Sequence, residues 1–119
     1  MAGDAVEQLA GEVERLVGRL RALSPSRLGQ PAPPHATRAD AARRVAQLLA
    51  DAALAIEGAA ARPLPRVPDH AVADQVAVTG HDLVAALRRT PVPALAAEVL
   101  IELGRSRHVI DPPAGPRRP

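Results

Sequence analysis

Three polar residues in the stretch Asp69–Arg89, DHAVADQVAVTGHDLVAALRR, have the types and spacing of a metal set. His70, Asp74 and His81 follow one another at steps of four and seven, so on a helix they share one face. Imidazole and carboxylate one turn apart can hold an ion between them. Direction weighs against that chemistry. Val72, Val76, Thr79, Leu83 and Leu87, widened by Ala73, Gly80 and Val84, form the apolar stripe of a core-facing helix, and the three polar residues lie roughly opposite it. Metal sites in helical bundles project inward from facing helices. The set therefore reads as a solvated face, and a small metal- or ligand-binding bundle using His70, Asp74 and His81 stands as the alternative.

The other chemical candidates are weaker. Glu98 and Glu102 form a carboxylate pair one turn apart, flanking an apolar stripe. Acid–base work needs a desolvated cleft and a partner group, and the sequence supplies neither. Ser24, Ser26 and Ser106 fall at helix ends or in connectors, and no nucleophile elbow, phosphate-cradling glycine loop or HExxH motif is present. No cofactor is implied, and the reading is non-enzymatic. Arg105, Arg107, Arg117 and Arg118 make the C-terminal segment basic and are the candidates for phosphate contacts. Four arginines give modest, salt-sensitive attraction to a polyanion, and a chain with no aromatic residue cannot stack bases. Nucleic-acid association through this tail is the third-ranked function.

Composition sets the frame. The chain has 119 residues, enough for one modest core, and 26 of them are alanine. Phe, Tyr, Trp, Cys, Lys and Asn are absent, and all 15 basic residues are arginine. Phe, Tyr, Lys and Asn have AT-rich codons, so the bias points to a high-GC bacterial genome. That makes a pI near 10.9 a poor guide to partners. The larger apolar residues number 30, namely twelve Val, fourteen Leu, three Ile and one Met. Each contributes about 1.5–3 kcal/mol when fully buried, so the core is thin and close helix packing is expected. Without cysteine there are no disulfides or thiolate metal sites. The acidic start MAGDAVEQLAGE is unlike a signal peptide and no 18-residue apolar run exists; cytoplasm and no membrane are expected.

Proline draws the map of elements. All 13 prolines lie outside four windows, Met1–Ser24, His35–Arg62, Asp69–Thr90 and Ala94–Asp111, and a helix-interior proline costs about 3 kcal/mol. The first window carries Val6, Leu9, Val13, Leu16, Leu20 and Leu23 at alternating steps of three and four. This seam suits a bundle better than a dimeric coiled coil, being about three heptads long. Ser24–Pro34 reads as a spacer. Thr37 caps a second helix, with Asp40 three residues on, and Ala41, Val45, Leu48, Leu49, Ala52, Ile56 and Ala59 form its apolar side. Asp69 is placed as the N-cap of the third helix. Within it Gly80, at the stripe's edge, fits close approach of a neighbouring helix better than a kink. Thr90-Pro91 opens a fourth helix that Gly104 ends.

The pattern thus predicts an all-α chain: an antiparallel four-helix bundle with Pro-rich connectors, helices at about 2–23, 38–61, 70–89 and 91–104, a single domain over 1–111, and a disordered basic tail at 112–119. Leu54, Val78 and Ile101 each fall away from the stripe of their own helix. Two or three of them brought together would form a patch for a partner helix or a second copy. The leading functional reading is accordingly a protein-protein interaction or accessory module, acting on another protein or by self-association through helix faces.

Overall fold

The computed structural model describes residues 2–112. They are mostly helical, and among them the only β-type pairing is an isolated bridge between Ala32 and His35. The helix α1 spans Ala2–Ala22, with Asp4 in its first turn and Arg19 and Arg21 in its last, each opposite in sign to the local dipole end. Val6, Leu9, Val13, Leu16 and Leu20 are all buried, and Val17 with them. The seam is filled from within the chain, by α4 and α5.

The segment expected to be a spacer is partly ordered. A single helical turn, α2 (Pro25–Leu28), is capped by Ser24, whose hydroxyl accepts from the Arg27 N–H at 3.2 Å. Leu28 and Ala32 are buried. Next comes α3 (Arg38–Ile56), where the Thr37 hydroxyl accepts from the Asp40 N–H at 3.0 Å as the capping pattern requires. It ends five residues before the expected boundary at 61. Gly58, at φ 71°, takes the left-handed position after the cap. Its N–H reaches the Ala55 carbonyl and the Ala59 N–H reaches Leu54, closing the helix.

The helix α4 runs Val72–Arg89 and is preceded by a 3₁₀ turn at Asp69–Ala71. Asp69 is therefore not the helix cap; its carboxylate accepts instead from Arg43 Nη2 at 2.7 Å. The last helix, α5, spans Pro93–Ile110 and corrects the expected 91–104 at both ends. Val92 rather than Thr90 precedes its first turn, and Pro93 takes the N-terminal proline position. Gly104 does not stop it. Leu103 and Ile110, seven residues apart on one face, are 1% and 0% exposed. Burying Ile110 beyond the glycine, about 1.5–3 kcal/mol, outweighs the ~1 kcal/mol that an interior glycine costs.

Two helices, α1 and α3, each pack against both α4 and α5. Helix directions follow from end-to-end contacts. Glu7 near the start of α1 meets Arg88 at the end of α4, and Arg21 near the end of α1 meets Asp74 near the start of α4, so these two run antiparallel. By contrast, Arg43 early in α3 reaches Asp69 just before α4, and Glu57 beyond the end of α3 lies 3.9 Å from Arg89 at the end of α4. These two run parallel, which departs from the antiparallel alternation expected. The cause is the connector 57–68, which runs back along α3 before α4 begins: Gln47 holds Arg62 and Leu64, and Arg43 holds Val67. No helix among the described residues is long and apolar enough to cross a membrane.

The core is drawn from all four long helices, and two of them approach closely at Gly80. A Cβ built there would stand 2.5 Å from Cγ1 of Val13, so the absence of a side chain is what lets α1 and α4 meet. Beside it Thr79 is buried, and its hydroxyl donates to the Gln75 carbonyl at 2.8 Å.

Candidate functional site

The His70–Asp74–His81 set is exposed, and two of its members are committed elsewhere. His81 Nε2 lies 2.6 Å from Glu14 Oε1, and Asp74 accepts from Arg21 at 3.1 Å. Together with Arg88–Glu7 at 2.9 Å they make three cross-helix rungs at seven-residue intervals on both α1 and α4. His70 sits apart, on the 3₁₀ turn. Among the described residues no three His, Asp or Glu side chains gather as a metal set. Exposed pairs of this kind contribute about 0.2–1 kcal/mol each, so the rungs orient α1 on α4 rather than hold it there. The intervals of seven were legible on each helix alone; their pairing was not, since it depends on which helix packs against which.

Three side chains missed in the sequence, Arg43, Gln47 and Gln75, hold the 57–68 connector. Arg43 donates through Nε and Nη2 to the Val67 carbonyl, at 3.2 and 2.6 Å, and through Nη1 to Asp40 at 2.8 Å. Gln47 donates to the Arg62 carbonyl at 2.9 Å and accepts from the Leu64 N–H at 2.8 Å. Gln75 donates to the Pro65 carbonyl at 2.9 Å. A signal existed. Pro63, Pro65 and Pro68 lack N–H groups, so the connector has surplus carbonyls that need side-chain donors. Asp40 anchors the cluster from beneath. Its partial burial pushes its pKa up, but the Arg43 hydrogen bond, the charges of Arg66 and Arg43 and the Thr37 hydroxyl together outweigh that and hold the carboxyl below its ordinary value.

The three stray aliphatics do not converge on one patch. Leu54 and Val78 share a groove between α3 and α4, where Arg62 and Arg89 face Glu57 and Asp82 and the charges cancel. Ile101 belongs to a groove on the other side of α3, between α3 and α5. Val78 and Ile101 are 61% and 56% exposed, while Leu54 is half-buried.

The α3–α5 groove has the more distinctive chemistry. It is an open groove of about 590 Å³ over a floor of Leu48, Ala52, Leu95, Val99 and Ile101. Asp51, Glu98 and Glu102 stand on its rim against one cation, Arg105, which is tied to Glu102 at 2.8 Å. The Glu98–Glu102 pair thus borders an apolar floor, and among the described residues no nucleophile or imidazole lines that groove. Arg107, the second candidate for phosphate contact, is held by Glu12 at 3.2 Å, and both it and Arg105 are part of α5 rather than of a tail. Arg117, Arg118 and the tail from 113 onward lie outside the described residues.

Compared with known proteins, the chain matches no family model, no curated protein and no solved structure.

Proposed function

We propose that this chain is a non-enzymatic interaction module whose α3–α5 groove receives a basic amphipathic helix of another protein. The scaffold is read as a four-helix bundle with α3 and α4 running in the same direction. The observation that carries the reading is the exposed Ile101 on an apolar floor framed by Asp51, Glu98 and Glu102. A helix lying in such a groove buries its apolar face on the floor and sets its flanking cations against the rim. With Arg105 taken up by Glu102, the rim has a net charge of −2 to offer. A second copy docked symmetrically would set these carboxylates against their own kind, which costs free energy.

The test is titration of the full chain with an amphipathic leucine–lysine helical peptide and with its leucine–glutamate counterpart. The lysine peptide is expected to bind, to lose affinity on Ile101→Asp and on Glu98→Arg with Glu102→Arg, and to be indifferent to Val78→Asp. The glutamate peptide is expected not to bind. Equal binding of both peptides, or a dimer by light scattering that Ile101→Asp dissolves, would replace this reading with a non-specific or a self-associating surface.

A further inference from the structure

Where α1 and α5 end and α3 begins, a different concavity of about 740 Å³ is lined by Arg19, Arg27, Arg38, Arg107 and His108, with Asp111 its single carboxylate among the described residues. The arginines arrive from four separate helices: Arg19 from α1, Arg27 from α2, Arg38 as the first residue of α3 and Arg107 from α5. Asp111 is shared, with Arg19 Nη1 at 2.8 Å and Arg38 Nη1 at 3.9 Å, the latter beyond hydrogen-bond reach. Arg107 is held by Glu12, which also takes Arg15 at 2.8 Å. Among the described residues Arg27 and His108 have no ion-pair partner. Assigning both Asp111 and Glu12 to the pocket still leaves two of its four arginines uncompensated.

Helix ends account for only part of this excess. The C-termini of α1 and α5 each present about half a negative charge and the N-terminus of α3 about half a positive one. Their sum is roughly −0.5, which leaves more than one full positive charge unmatched. Arg38 sharpens the point, because its side chain is only 17% exposed while its nearest carboxylate oxygen stands 3.9 Å away. A largely desolvated guanidinium is costly without a close anionic partner.

We propose that this pocket binds a small anion carrying one or more phosphate groups, with Arg27, Arg38 and His108 as its donors. Guanidinium forks match phosphate oxygens two at a time, and the charge excess exceeds what one carboxylate would neutralise. The arginines gather around one concavity at the end of the helices rather than along a track, and the chain has no aromatic residue to stack a base, so the ligand is a small phosphorylated molecule and not a nucleic-acid strand.

The experiment is calorimetric titration of the full chain with pyrophosphate, and separately with orthophosphate, at constant ionic strength set by chloride. Saturable one-to-one binding of pyrophosphate is expected. It should weaken at least about tenfold, equivalent to ~1.4 kcal/mol, in Arg38→Met and in the Arg27→Ala, His108→Ala pair. Arg44→Ala, an exposed arginine elsewhere on α3, should leave it unchanged. If Arg38→Met does not fold by circular dichroism, the exposed Arg27 and His108 pair decides alone. Absence of saturation, or equal weakening by Arg44→Ala, overturns the proposal. So does binding of a single-stranded oligonucleotide of about twelve nucleotides that pyrophosphate fails to displace.

Discussion

At Gly80 one missing side chain sets the spacing of two helices, and this can be measured. A Cβ there would stand 2.5 Å from Val13 Cγ1, so Gly80→Ala forces α1 away from α4 although alanine is the better helix former. Overpacking of this kind costs about 1–3 kcal/mol. Gly18, exposed in α1 with nothing within 4 Å of its added Cβ, provides the opposite case, and Gly18→Ala should stabilise by up to ~1 kcal/mol. Urea denaturation midpoints moving in opposite directions would confirm both. Asp40 is the second residue whose environment makes a forecast. Its folded-state pKa lies below the ordinary 3.8 because Arg43, Arg66 and Thr37 outweigh burial. The stabilisation is therefore complete above the unfolded carboxylate value and is lost as pH falls below that value through the folded one. Asp40→Asn should cost about 1–2 kcal/mol at pH 7, and the gap from wild type should close as pH drops below about 4. A gap that persists unchanged to pH 2 would show that the carboxylate's charge is not what holds the connector. Of these residues, Gly80's role was legible from its place at the edge of the apolar stripe. Asp40's was only half legible: its place after the Thr37 cap could be read, but its arginines arrive from a turn onward and from the connector.

At the scale of elements, periodicity located all four long helices, because an apolar residue every three or four positions between prolines has one physical solution. Boundaries were less legible where local and tertiary terms disagree. The expected end of α3 at 61 overran Gly58 because Ala59–Ala61 favour helix, but they are exposed, so nothing rewards continuation past Ile56, and glycine accepts φ 71° without strain. At Gly104 the local and tertiary terms disagree, and burial of Ile110 wins. Gly104→Ala should therefore stabilise the protein by up to ~1 kcal/mol and leave helical content unchanged. If Gly104 were a cap, the same substitution would be strained and destabilising. Thermal denaturation followed by circular dichroism at 222 nm separates the two. The polar rungs and the arginine pocket belong to the same lesson. His81, Asp74, Arg19 and Arg107 were visible as charged positions on single helices, and only packing states that the first two face α1 and the last two share one cavity.

Across the whole molecule, the direction of α3 relative to α4 organises everything else, and it follows from the connector. A connector of a few residues would have returned α4 antiparallel to α3. Residues 57–68 instead lie back along α3, pinned by Arg43 and Gln47, so α4 restarts at the end where α3 began. The parallel pair places the beginnings of α3 and α4 at one end and leaves α5 to cover the other side of α3, which creates the acidic groove. Since the chain has no cysteine, spin labels attach only where thiols are introduced. Labels at Glu57→Cys and Arg89→Cys should sit close together, because those side chains approach to 3.9 Å. Labels at Arg44→Cys and Arg89→Cys should lie clearly farther apart, because Arg44 is offset from Glu57 along the helix axis by about 20 Å, the rise of some thirteen helical residues. An antiparallel α3–α4 pair reverses the order of the two distances. Removing the connector's anchors with Arg43→Met and Gln47→Ala together should broaden both distance distributions, since the polar contacts left to hold the segment that fixes the direction of α4 are Gln75 on Pro65 and Arg66 on Asp40. If both distributions stay narrow at the wild-type distances, helix packing alone sets the direction and the connector merely follows it.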